Sequence, residues 1–201
     1  MSVVAPIETG SPPAEQRMLL SNVSWKEYVL LRDLLDGPRL RMTYMEGELE
    51  LMSPSPQHEL WKKNIARFVE LFAHVRRIDL YGYGNATFKK EAAERGAEPD
   101  ECYVVGKKLA DYPEIVLEVV HTTPLLNKLD VYRAFGIAEV WVFRSGAFTV
   151  CVLGTTGAAA ERYEVRTSSP RLPGLDFGAL ARFAVREDTP QALREFEAEI
   201  R

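Results

Sequence analysis

The stretch EPDECYVVGKKLADYPEIVLEVVHTT, residues 98–123, decides how the chain folds. Its second half contains IVLEVV, Ile115 to Val120, which is apolar on both faces and rich in β-branched residues. That is the composition of a central strand, yet it carries one carboxylate, Glu118. An ionised carboxylate in such surroundings is costly unless it is paired or holds a metal. The first half predicts a partner strand over residues 100–105, and GKKLADY, centred on Leu109, joins the two as an antiparallel hairpin. Facing residues in such a pair share a constant index sum, so position 100 faces position 118. Asp100 then stands opposite Glu118 on one face, with Cβ atoms about 4.5–5.5 Å apart. Two carboxylates that close repel unless one keeps its proton or a cation lies between them. A hard divalent ion, Mg²⁺ or Mn²⁺, suits such an oxygen site. The plainer alternative makes Asp100 a turn cap after Pro99 and pairs Glu118 with a neighbouring lysine.

Outward from this hairpin, the chain reads as one domain with extensions. Residues 1–18, rich in Pro, Ser, Gly and Ala, have the composition of a mobile tail. Residues 19–186 form the domain and 187–201 a polar C-terminal helix. Ser24 is placed to cap a short amphipathic helix that stops at Gly37. LRMTYMEGELELMSP predicts two strands about the turn Glu46–Gly47. From Pro56 to Arg77 the period becomes helical: Trp61, Ile65, Phe68, Phe72 and Val75 form a buried stripe, opposite Lys63, Arg67, His74 and Arg77. Short strands follow at IDLYG, NATFKKE and ECYVV. After the Glu118 strand, a helix is expected with Thr123 as N-cap, Pro124 at its first position and Gly136 as C-cap. Strands AEVWVFR, AFTVCVL and ERYEVR come next, then a loop, SSPRLPGLD. Strands and helices are mixed rather than strictly alternating, which indicates an α/β or α+β sheet with antiparallel hairpins.

Composition narrows the function. With 25 basic and 29 acidic residues the formal charge is −4, which argues against non-specific coating of nucleic acid while leaving room for a local basic patch. Cys102 and Cys151 sit in apolar runs and read as reduced core cysteines. No signal peptide and no membrane span are evident, so the cytoplasm is the expected location. There is no nucleophilic triad, P-loop or Cys/His zinc spacing.

Several segments in order, GELELMSPSPQH, EPDECYVV, PEIVLEVV and KLDVYRAFGIAEVWVF, resemble the Uma-type, restriction-endonuclease-like branch of the PD-(D/E)XK nuclease superfamily. The match runs from about Tyr44 to Phe143. The resemblance implies a restriction-endonuclease-like α/β (α+β) fold: a four- or five-stranded mixed sheet flanked by helices, with the site where Asp100 and Glu118 meet. It implies metal-dependent phosphodiester hydrolysis with DNA as the partner, a homodimer being one assembly open to it. One Mg²⁺ or Mn²⁺ is expected on Asp100, Glu118 and the backbone carbonyl of Val119. The superfamily's usual lysine, two residues after the strand glutamate, is Val120 here. In this branch it lies on the following helix, where this chain has Lys128, with Tyr132 one turn later; a solvated helix lysine is the alternative. Glu48 is a candidate third carboxylate or an exposed hairpin charge, and His58 matches the branch's histidine at a helix start. His121 stands where the branch more often has Ser. Lys89 and Lys90 are candidates for phosphate contact or for a solvated strand edge. Two rival functions stay open: a catalytically retired nuclease fold serving in nucleic-acid binding or protein assembly, and a hydrolase acting on a phosphodiester outside nucleic acid.

Overall fold

A computed structural model describes residues 15–35, 37, 40–106, 108, 111–124, 126–154 and 162–201. The described residues form two sheets and five α-helices. The first sheet is assembled from strands β1 (Gln16–Leu20), β2 (Arg41–Met45), β3 (Glu48–Ser53), β5 (Phe88–Lys90) and β6 (Arg95–Ala97), in the order β1-β3-β2-β6-β5, all antiparallel. The second contains β4 (Leu80–Gly82), β7 (Glu101–Val105), β8 (Ile115–Val120), β9 (Glu139–Arg144), β10 (Ala147–Leu153) and β11 (Tyr163–Arg166), in the order β11-β10-β9-β8-β7-β4. Among the described strands only β8 and β9 run parallel in it, joined by the crossover through helix α3 (Lys128–Phe135).

The expected single sheet of four or five strands is thus replaced by a five-stranded and a six-stranded sheet. The reason lies at Glu98–Pro99–Asp100, where the chain leaves β6 and enters β7. Proline supplies no N–H to a ladder, so pairing breaks there and the chain crosses from one sheet to the other. Glu98 fixes this bend: its buried carboxylate accepts from the Met42 N–H at 3.2 Å and the Thr87 hydroxyl at 3.2 Å, and pairs with Arg32.

Local chemistry explains most element ends. Helix α1 (Trp25–Leu34) begins with a capping box in which Ser24 and Glu27 satisfy each other's backbone N–H groups; it ends at Leu34, short of Gly37. Glu46 and Gly47 both take positive φ, 48° and 90°, which a tight hairpin turn between β2 and β3 requires. Helix α2 (Pro56–Arg76) has Ser55 as N-cap and Pro56 in its first turn. Its stripe packs as the periodicity predicts: Ile65, Phe68 and Phe72 are fully buried, Trp61 and Val75 partly so, while Lys63, Arg67, His74 and Arg77 face solvent.

Three readings are corrected. Helix α3 starts at Lys128, not Thr123: Asn127 is its N-cap, accepting from the Leu129 N–H at 3.2 Å, and Pro124 lies before the helix. Helix α4 (Phe177–Ala184), capped by Asp176, is absent from the sequence reading, because it is only eight residues long and a single charge, Arg182, marks its exposed face. Of residues 1–18, residues 1–14 lie outside the described residues, but Glu15 is buried and Gln16–Met18 pair with β3. The centre of GKKLADY also lies outside the described residues. Helix α5 (Thr189–Ile200) buries Ala192, Phe196 and Ile200 against α2 and α4. Cys102 and Cys151 are buried and free. No helix among the described residues is long and apolar enough to cross a membrane.

The larger core joins α2, α4 and α5 to one face of the second sheet. Phe68 stands at its centre, 5.7 Å from the Phe183 ring and 5.0 Å from Phe196. Phe68→Ala is expected to cost about 3–5 kcal/mol through lost burial and a residual cavity. Urea unfolding checks this; a change under about 1 kcal/mol, the scale of an ordinary surface substitution, would contradict the core assignment.

Candidate active site

The β7–β8 register pairs Glu101 with Leu117 and Cys102 with Val116. Continued by one residue, it sets Asp100 against Glu118, and the Asp100 N–H does donate to the Leu117 carbonyl at 3.1 Å. Both carboxyl groups are buried, at 1% and 4% exposure. They lie at the seam of the two sheets, where the chain has just crossed at Pro99. The Asp100–Glu118 pairing read from the index sum is the one the backbone makes.

Lys128 reaches this pair. Its ammonium lies 2.6 Å from Glu118 Oε2, with the side chain 10% exposed. Because α3 starts at Lys128, this lysine occupies the first helical position rather than one and a half turns in. Helical side chains tilt toward the N-terminus, which directs this one back over the end of β8. Tyr132, one turn later and fully buried, donates its hydroxyl to Glu118 Oε1.

Asp100 is held from the other side. Oδ2 accepts from the Val119 N–H at 2.8 Å, and Oδ1 faces His58 Nε2 at 2.9 Å. His58, in the first turn of α2, is fully buried, and its Nδ1 faces Glu15 Oε2 at 3.0 Å. Burial alone would lower the His58 pKa, but the hydrogen bonds and charges of Asp100 and Glu15 outweigh it and raise the value to about 9. The imidazolium therefore donates from both nitrogens. Burial works to raise Asp100, yet His58, Lys128 and the Val119 N–H hold it below the usual carboxylate range. Glu118 moves the opposite way: burial and the Asp100 charge keep it raised against the pull of Lys128. Lys128, disfavoured by burial, is raised by the two carboxylates.

Four residues of this cluster escaped the sequence reading. Glu15 also accepts from Arg17 at 2.9 Å and from the Thr122 hydroxyl at 2.5 Å. Arg17 in turn donates to Thr122 at 2.9 Å and pairs with Glu50, whose other oxygen accepts from the Leu126 N–H at 2.8 Å. Glu50 thus replaces Glu48 as the hairpin carboxylate at the cluster; Glu48 instead accepts from Ser21 at 2.8 Å in exposed surroundings. Both alternate with leucines in ELELMS, so the sequence does not separate them. The signal for Glu15 and Arg17 was the i, i+2 spacing of two opposite charges leading into MLL.

The remaining candidates lie elsewhere or play other parts. Lys89 and Lys90 are exposed on β5, and Lys90 donates to the Ala134 carbonyl at 2.6 Å. His121 stacks on Trp61, with centroids 4.4 Å apart and planes at 16°. The main chain of Val119 meets Asp100 through its N–H. Among the described residues, no three or more His, Cys, Asp and Glu side chains converge to hold a metal on their own. Here four carboxyl groups (Glu15, Glu50, Asp100, Glu118) meet three cationic side chains (Arg17, Lys128 and His58) among the described residues.

Comparison with known proteins fits this geometry. A family model, Uma2, described as "Putative restriction endonuclease", matches residues 25–184. A solved structure described as a "putative nuclease belonging to DUF820", from Anabaena variabilis, superposes with a TM-score of 0.52 at 12% identity, covering 81% of this chain and 99% of its own. At that identity the likeness speaks for the fold. No curated protein sequence matches significantly.

Removing the phenol that holds Glu118 tests the inner contact without touching charge. Tyr132→Phe is expected to destabilise the fold by about 1.5–3 kcal/mol, the range for a hydrogen bond to a charged group. Urea unfolding at neutral pH measures it, and an unchanged stability would contradict the buried contact.

Proposed function

The chain belongs to the Uma2 restriction-endonuclease family, and from that premise we propose that it is a metal-dependent endonuclease hydrolysing phosphodiester bonds in DNA. One observation carries the reading: a lysine ammonium, 10% exposed along its side chain, lies 2.6 Å from Glu118 of a buried, facing Asp–Glu pair. Lys128 so supplies the cation that Val120, at the superfamily's usual lysine position, does not. A cytoplasmic location, with DNA as the partner, belongs to the same proposal.

The residues fit a hard divalent ion. Asp100 and Glu118 offer carboxylate oxygens with lone pairs beyond those used in hydrogen bonds, and hard oxygen donors of this kind suit a hard cation. Two carboxylates, the Val119 carbonyl and waters form the kind of set Mg²⁺ or Mn²⁺ accepts. When bound, such an ion acidifies a coordinated water and neutralises charge growing on the phosphate. The protein's own groups do the positioning. Tyr132 fixes the Glu118 carboxylate, and His58, braced by Glu15, fixes Asp100. Lys128 orients the attacking water or donates to the phosphate oxygens as their charge rises.

A second reading has its own support. Every oxygen of Asp100 and Glu118 already accepts a hydrogen bond or ion pair within the protein, as expected of a retired site kept as a binding or assembly module.

Two measurements separate these readings. With the ion at about 100 times its Kd, native-state binding contributes about 2.7 kcal/mol, a rise in Tm of about 5–10 °C for a chain of this size. Glu118→Gln or Asp100→Ala is expected to abolish most of that rise; an unchanged Mn²⁺ response in Glu118→Gln removes the shared site. Supercoiled plasmid is expected to be nicked with Mg²⁺ by the native chain and not by Asp100→Ala. Lys128→Met is expected to lose activity by orders of magnitude while keeping its Mn²⁺ response. A fully active Lys128→Met would remove the lysine's role, and an inert native chain would leave the module reading.

A further inference from the structure

A cavity of about 360 Å³ adjoins the carboxylate pair and shares Glu118 and Lys128 with it. The parallel β8–β9 register, Glu118 with Val142 and Val120 with Arg144, builds one side of it. The segment leading into α3 and the first turn of that helix supply the other, through Pro124, Leu126, Asn127 and Leu129. The lining is therefore aliphatic, with its charged groups gathered at Glu118, Lys128 and the exposed Arg144. Its volume falls at the lower end of the about 300–1,000 Å³ typical of small-molecule sites.

We propose that this cavity is a nucleobase subsite, which takes an unpaired base of the strand whose phosphate lies at the Asp100–Glu118 pair. The inference rests on the nuclease reading above and names its substrate class: single-stranded or locally unpaired nucleic acid rather than uniform duplex. Three features converge on this occupant. The cavity shares Glu118 and Lys128 with the proposed catalytic pair, so a phosphate meeting the Lys128 ammonium would bring its attached nucleoside to the cavity. The walls are apolar and come from two elements, which suits a flat ring that offers an apolar face to each side. Arg144, whose guanidinium donates to Thr123 at 3.0 Å, stands at the rim as a cation for the neighbouring phosphate. A base inside a duplex is stacked and paired, so entry costs least from a strand that is already open.

Equilibrium binding of dAMP, and of deoxyribose 5-phosphate as the same molecule without its base, tests the subsite in the full chain. The native protein is expected to bind dAMP at least tenfold more tightly than deoxyribose 5-phosphate. Leu129→Trp, which fills the cavity from a partly buried position, is expected to erase that difference; Leu129→Ala, which leaves it open, is expected to keep it and guards against a folding defect. With Mg²⁺ the native chain is expected to cut a single-stranded oligonucleotide at least tenfold faster than the matching duplex. Equal binding of the two ligands, a base preference that survives Leu129→Trp, or equal cutting of both strand forms overturns the proposal. If the chain cuts neither form yet shows the Leu129-dependent base preference, the subsite stands and the nuclease reading falls.

Discussion

Everything at the site depends on one strand pairing, β7 against β8 in the register that sets Asp100 opposite Glu118. A slip of one residue would turn Glu118 to the other face of the sheet. Two features hold the register in place. The Val119 N–H is tied to the Asp100 carboxylate, and the bend before Asp100 is fastened to the first sheet through Glu98. The bend does more than end a strand. Past that bend, Glu15 and Arg17 meet Thr122 and Glu50 meets the Leu126 N–H, so the first sheet's carboxylates and arginine face the segment that follows β8. Carboxylates and cations from six separate parts of the chain, at Glu15–Arg17, Glu50, His58, Asp100, Glu118 and Lys128, then meet in one buried cluster.

That cluster is arranged by charge. Buried carboxylates are costly alone, so each is met by a cation or by N–H and O–H donors: Asp100 by His58, Glu118 by Lys128 and Tyr132, Glu15 by Arg17 and Thr122, Glu50 by Arg17 and the Leu126 N–H. The environments drive the pKa values of the two central carboxylates apart, that of Asp100 lowered and that of Glu118 raised. Titratable groups whose pKa values are pushed apart in one site are candidates for acid–base or metal chemistry.

Much of this was legible in the sequence because it rests on local periodicity. A strand pattern interrupted by one carboxylate revealed Glu118, and the index sum of a hairpin found Asp100. The α2 stripe followed from a 3.6-residue repeat. What stayed hidden depends on contacts between distant segments or on chemistry shared by neighbours. Glu15 and Arg17 sit in a stretch whose composition reads as a tail, and only pairing with β3 orders them. Glu48 and Glu50 alternate identically with leucines, and the choice falls to whichever meets Arg17. The start of α3 was misplaced because Thr123–Pro124 and Asn127 both carry capping chemistry; Glu50 takes the Leu126 N–H, and Asn127 caps the helix. The two-sheet division was hidden because a proline between strands marks a break without saying where the chain goes next.

The central claim is that the facing Asp100 and Glu118 are the ligands of a divalent ion. Anomalous diffraction from a crystal soaked in Mn²⁺ tests it most directly. The account predicts one strong peak between the two carboxylates, at about 2.0–2.3 Å from an oxygen of each, with the Lys128 ammonium moved off Glu118 Oε2. A crystal in which Mn²⁺ binds elsewhere while Lys128 still holds Glu118 and no peak lies between the pair would contradict it.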